Sequence, residues 1–102
     1  MSAKPLFIPL KTEFYEAFER GDKREELRVH GPRWNANTCW MGRDVVLSKG
    51  YGKKNRVRGV IVGFRVDQRP LALPGWVECY GHKHAEAACI EIHVFREGPT
   101  CS

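Results

Sequence analysis

The chain has 102 residues, four cysteines and a formal net charge of +5. That length fits one domain with a modest core, and no stretch reaches the roughly 20 apolar residues of a membrane-spanning helix. The opening MSAKPLFIPLKTEF lacks the apolar run and cleavage site of a secretion signal. A cytoplasmic location is therefore expected, with no membrane partner and with Cys39, Cys79, Cys89 and Cys101 as free thiols.

Residues 5–10, PLFIPL, read as a short strand that two prolines confine to a sheet edge or entry. Thr12 is expected to cap a helix over 13–20, with Glu13 and Glu16 in the first turn, where the helix dipole favours acids. Phe14, Ala17 and Phe18 recur as one apolar stripe, and Gly21 closes the helix. EELRVH then reads as a strand that turns Leu27 one way and Glu26 and Arg28 the other. GPRWNANTCW opens on a breaker, with a helical turn expected around 34–39. A turn at Gly42 leads to a strand over 44–48, and YGKKN forms a loop or hairpin tip.

RVRGVIVGFRV is the clearest strand. Arg58, Val60, Val62, Phe64 and Val66 should share one face, and Val57, Gly59, Ile61, Gly63 and Arg65 the other. Its glycines suggest a bulge or a close backbone approach. Pro70, Pro74 and Gly75 punctuate an irregular stretch over 67–87. ACIEIHVF reads as the final strand, with Ile90, Ile92 and Val94 inward, and residues 97–102 are expected to form a loose tail. One strand, a helix, then mostly strands predicts a single α+β domain over 1–102. It should be a small curved sheet or barrel of about five or six strands, with one main helix near the N-terminus and short helical turns. A monomer is expected.

Charge is unevenly spread. Residues 13–26 carry six of the twelve acids, whereas residues 43–69 carry eight bases against Asp44 and Asp67. The second segment suggests a positive face that suits a polyanion. Within the first, GDKREELR holds Gly21, Lys23, Glu26 and Arg28 as G-x-K-x-x-E-x-R. Glu26 and Arg28 project from one strand face, and Lys23 in the preceding turn leans over it. Two cations and a carboxylate in one cleft suit an anionic or polar ligand, with Arg28 as a bidentate fork and Lys23 as a mobile point charge. The plainer alternative is a surface ion-pair cluster.

This pattern resembles the signature of the ASCH family, whose motif also sits between the first helix and the next strand. MGRDVVLSKG is similar to the family's following element, a glycine turn plus an apolar strand. RW…GR…VVLSKGYG is similar to small ASCH proteins of phages and prophages. The resemblance covers roughly residues 5–66, and 67–95 only through the final strand. It implies a PUA-like β-barrel that binds RNA or a nucleotide-like ligand in a cleft lined by Lys23, Glu26 and Arg28. Some family members remove the acetyl group from acetylated cytidine with a threonine nucleophile at the position of Glu26 and a lysine at that of Lys23. Others are described as ribonucleases. A small hydrolase acting on RNA or a modified nucleoside, with Lys23 and Glu26 as catalytic acid–base pair, is therefore the alternative function. A phage protein–protein interaction module is the third.

The stretch KGYGKKNRVRG interleaves Lys49, Lys53, Lys54, Arg56 and Arg58 with Tyr51. Phosphate contacts plus a stacking ring are what single-stranded nucleic acid binding requires, though a solvated hairpin tip would look similar. Tryptophans more often fill cores than serve as platforms. Of Trp34 and Trp40, Trp34 is the better platform candidate because Arg33 and Asn35 flank it. Cys79, His82, His84, Cys89 and His93 invite a zinc reading, but the pairs lie close together and Cys89 falls in a strand. No metal and no cofactor are expected.

Overall fold

The computed structural model describes residues 4–82 and 85–95, so His84, Cys101 and the tail over 97–102 lie outside it. Five strands and two helices follow in chain order: β1 (Leu6–Leu10), α1 (Thr12–Arg20), β2 (Glu25–Val29), β3 (Asp44–Lys49), β4 (Arg56–Asp67), α2 (Trp76–Tyr80) and β5 (Ala87–Val94), with a single 3-10 turn at Pro70–Ala72 before α2. The strands form one sheet in the order β1-β3-β4-β5-β2, curled into a half-barrel. β1 runs parallel to β3, and every other neighbouring pair is antiparallel. β1 and β2 are thus the two edges. Pro9, which has no N–H to donate, sits on one of them, as the sequence suggested.

Local chemistry explains most boundaries. Gly21 ends α1 at φ 85°, a conformation other residues adopt only with strain, and the N–H groups of Asp22 and Lys23 return to the Ala17 carbonyl. Thr12 is the first helical residue rather than the cap. Lys11 takes the capping position in extended backbone, with no side-chain cap bond, and its carbonyl accepts from Phe14 and Tyr15. The turn expected around 34–39 is present as one turn in which the Asn35 carbonyl accepts from Thr38 and Cys39.

The main core fills the inner face of the sheet. Ile8, Leu10, Val45, Leu47, Ile61, Ala88, Ile90 and Ile92 meet Tyr15 and Phe18 of α1, with Trp34 and Cys39 from the long β2–β3 connection. Tyr15 and Phe18 are the deep residues of α1. Phe14, expected in the same stripe, lies at its flank and stays half-buried. β5 turns Ile90, Ile92 and Val94 inward as expected.

β4 departs from simple alternation. Ile61 pairs with Ile92 and Gly63 with Glu91, so Val62 is an extra residue and the faces exchange at that point. Ile61 and Phe64 therefore both reach the main core, although the sequence placed them on opposite faces. A side chain at Gly59 would bring a Cβ within 2.6 Å of the His93 carbonyl oxygen, which explains the first of the two strand glycines.

The outer face carries a smaller core. Trp76 of α2 packs on Ala87 and Cys89 of β5, joined by Leu27, Leu73, Tyr80 and Ala85. This short helix lies in the stretch expected to be irregular. Gly75 at φ 82° and Gly81 at φ 71° bound it, so its two ends are glycine turns.

Candidate ligand-binding cleft and basic loop

Lys23, Glu26 and Arg28 meet in space. Gly21 turns the chain so that the Lys23 ammonium returns over α1, 5.1 Å from the Phe14 ring centre and 5.5 Å from that of Phe18. β2 then sets Glu26 and Arg28 two residues apart on the inner face, opposite Ile90 and Ala88. The Arg28 Nε donates to Glu26 Oε2 at 2.8 Å, and Lys23 Nζ lies 3.6 Å from Glu26 Oε1. Glu26 is only 6% exposed, deeper than Leu27 of the same strand. Leu27 faces the smaller outer core, not the main one.

Arg28 has a further task. Its Nη2 donates to the carbonyl of Pro9, so a guanidinium on one sheet edge grips the other edge. Its flat face lies 4.8 Å from the Trp34 ring centre. The fork expected to hold a ligand is therefore engaged within the protein, by Glu26 and by Pro9. Among the described residues Lys23 keeps donors free, since an ammonium has three N–H bonds and one carboxylate oxygen stands beside it.

A cleft of about 220 Å³ opens beside these residues. Pro9, Leu10 and Lys11 form one wall, and Phe14 and Lys23 close another. Glu26, Leu27 and Arg28 form the floor, while Pro74, Gly75, Cys79 and Tyr80 form the far side. Sites for drug-sized molecules span ~300–1,000 Å³, so this one fits a single small group. Lys11 Nζ stands 4.0 Å from Cys79 Sγ across the opening. The Tyr80 hydroxyl donates to the Leu27 carbonyl at 3.1 Å, and its ring packs on Trp76. Lys11, Phe14 and Tyr80 were not picked out as site residues in the sequence, and Cys79 was weighed there only as a zinc ligand. The far wall depends on α2, whose five residues leave too little periodicity to be read as a helix.

The other candidate residues form a second group. Tyr51 is 80% exposed at the tip between β3 and β4, and Lys53, Lys54, Arg56 and Arg58 are exposed with it. Lys49, at the base, lies 3.4 Å from Glu16 of α1. Gly50 N–H donates to the Leu10 carbonyl, which ties the loop to a residue that lines the cleft. Trp34, the preferred platform candidate, is instead buried in the main core, with Arg28 over its ring and Arg33 5.4 Å from its centre. The exposed tryptophan is Trp40, at 41%, with the Arg43 guanidinium 4.5 Å from its ring centre.

Cys39, Cys79 and Cys89 are free thiols. Among the described residues, no three metal-ligating side chains gather into a group. Cys79 lines the cleft, while Cys89 is buried in β5 behind Trp76. Burial pushes the Cys89 thiol above its ordinary 9.0 and the Tyr80 hydroxyl above its ordinary 10.0. The fold thus favours both protonated forms. Their contribution to stability is complete below about pH 9 and is lost as pH rises through the raised values. Cys39 and Cys89 are buried and Cys79 is partly open, so in a Cys101→Ser background at pH 7.5 a maleimide should modify Cys79 while leaving Cys39 and Cys89 intact. Peptide mass mapping would read this, and early labelling of Cys89 would contradict it.

Fold and site together define a small α+β protein with a half-barrel sheet, a cation-walled cleft between its edges and a basic loop beside it. No protein-family model matches the chain, and no curated protein matches it significantly. Among the described residues, no helix is long and apolar enough to cross a membrane.

Proposed function

We propose that this chain is an ASCH-type, PUA-like domain that binds RNA or a nucleotide-like ligand in the cleft between β1 and β2. The observation that carries the reading is the convergence of Lys23, Glu26 and Arg28, three motif positions, on one small cavity. In this reading Lys23 donates to a phosphate or carbonyl oxygen of the ligand. Phe14, Pro9 and Tyr80 offer apolar and aromatic walls against which a flat ring can rest. Glu26 holds Lys23 in place, and Arg28 keeps the two sheet edges in register around the ligand. The reading carries with it a cytoplasmic monomer, similar to the small phage and prophage ASCH proteins.

Calorimetric titration with the four ribonucleoside monophosphates and with short RNA tests it. Wild type should bind at least one of them, and Lys23→Ala should weaken that binding about tenfold, the loss of a charge-assisted hydrogen bond. Unchanged affinity in Lys23→Ala would sink the reading. Turnover of RNA or acetylated cytidine by wild type, abolished in both Lys23→Ala and Glu26→Gln, would replace binding with hydrolysis.

A further inference from the structure

We infer that the β3–β4 loop carries a stacking platform for an unpaired base of a single-stranded nucleic acid, built from Tyr51 propped on Phe7, with Lys53 and Lys54 meeting the flanking phosphates. This deepens the reading of the cleft and rests on it for the class of ligand.

Tyr51 is not adrift in solvent. Its ring sits on Phe7 of β1, with centroids 6.2 Å apart and planes tilted by 39°. The guanidinium of Arg56 stands 5.1 Å from the Phe7 ring centre, so Phe7 is held by a cation as well. One ring is thus supported by another, and 80% of Tyr51 remains exposed.

The loop that presents it is bonded internally. Ser48 Oγ and Arg56 Nε both donate to the Gly52 carbonyl, at 3.2 and 3.1 Å, and Lys49 N–H donates to the Asn55 carbonyl at 3.0 Å. A loop fixed in this way loses little freedom when it binds.

Charge then selects the occupant. Residues 45–66 contain no acid, and Lys53 and Lys54 stand exposed beside the ring. A polyanion satisfies those charges, but an acidic peptide would leave the ring unused. A duplex keeps its base faces stacked inside, whereas a single strand offers both phosphates and free faces. The Leu10–Gly50 bond places the platform one strand end from the cleft, so one strand can touch both.

The test uses a labelled single-stranded RNA octamer, its duplex, polyglutamate and the nucleoside monophosphates, measured over a range of salt. Tyr51→Ala should weaken octamer binding about tenfold, in line with the loss of one base–aromatic stack. Tyr51→Phe should restore it, and monophosphate binding should not change in either. Replacing Lys53 and Lys54 together with alanine should flatten the slope of log affinity against log salt by roughly 1.4 for a single strand. Octamer affinity unaltered in Tyr51→Ala would overturn the platform, as would duplex or polyglutamate binding as tight as the octamer. If the cleft reading alone is wrong, monophosphates fail to bind or Lys23→Ala has no effect, yet octamer binding still depends on Tyr51.

Discussion

Replacing Glu26 with glutamine should destabilise the protein by about 3 kcal/mol, the low end of what removing one member of a buried ion pair costs. The side chain is nearly enclosed, and it faces Arg28 at 2.8 Å and Lys23 at 3.6 Å. Glutamine keeps the shape and one acceptor but cancels the charge, so two cations beside the cleft lose the carboxylate that both of them face. Residual exposure, 16% for the Arg28 side chain and 22% for that of Lys23, lets water relieve part of the penalty. Urea unfolding would measure the loss, and a change below about 1 kcal/mol would place Glu26 with surface pairs instead. Removing the charges in partnership should be milder. The double variant Glu26→Leu, Arg28→Met should be less destabilised than the sum of its single changes, because the more buried cation leaves with the carboxylate and only the ammonium of Lys23, whose side chain is 22% exposed, loses its partner.

Trp76→Ala should cost about as much or more, roughly 3–5 kcal/mol, since it empties the centre of the outer core. The indole is 1% exposed and covers Ala87 and Cys89. A five-residue helix has no stability of its own, so α2 holds its form only while this ring is seated. The consequence extends to the cleft, whose far wall runs through Pro74, Gly75, Cys79 and Tyr80. In Trp76→Ala, the Cys89 thiol should become open to maleimide under conditions where the wild-type thiol is protected. Continued protection of Cys89 would show that other contacts hold α2 in place.

Much of this organisation was legible in the sequence where a local rule decided it. The helix α1, the glycine at its end, the five strand segments and the inward set of β5 follow from spacing and turn chemistry, whereas the buried pair of α1 is Tyr15 and Phe18 rather than the stripe of Phe14, Ala17 and Phe18. The exchange of faces in β4 does not, because one extra residue at Val62 resets alternation and only the pairing with β5 reveals it. The buried rank of Glu26 over Leu27 is equally non-local. It depends on which face of β2 meets Ile90 across the strand pair, and alternation alone separates Glu26 and Arg28 from Leu27 without saying which face lies deeper. Trp34 was misjudged for a similar reason. Two arginines stand near it in space, and they cover a core ring rather than flank an open one. Lys23, Glu26 and Arg28 were legible as a group because turn and strand are adjacent in the chain. Tyr80 and Cys79 were not, since they arrive from some fifty residues away.

The pairing of β2 with β5 has a consequence for how the protein comes into being. β2 is complete by residue 29, yet its hydrogen-bonding partner begins at residue 87. During synthesis the strand that bears Glu26 and Arg28 must wait for the last strand of the sheet, while β1, β3 and β4 can already associate. Distant pairing of this kind closes slowly. A nascent chain halted before β5 would therefore carry the whole G-x-K-x-x-E-x-R motif and the basic loop, but no cleft. In the reading proposed above, any contact with RNA at that stage would fall to the loop alone.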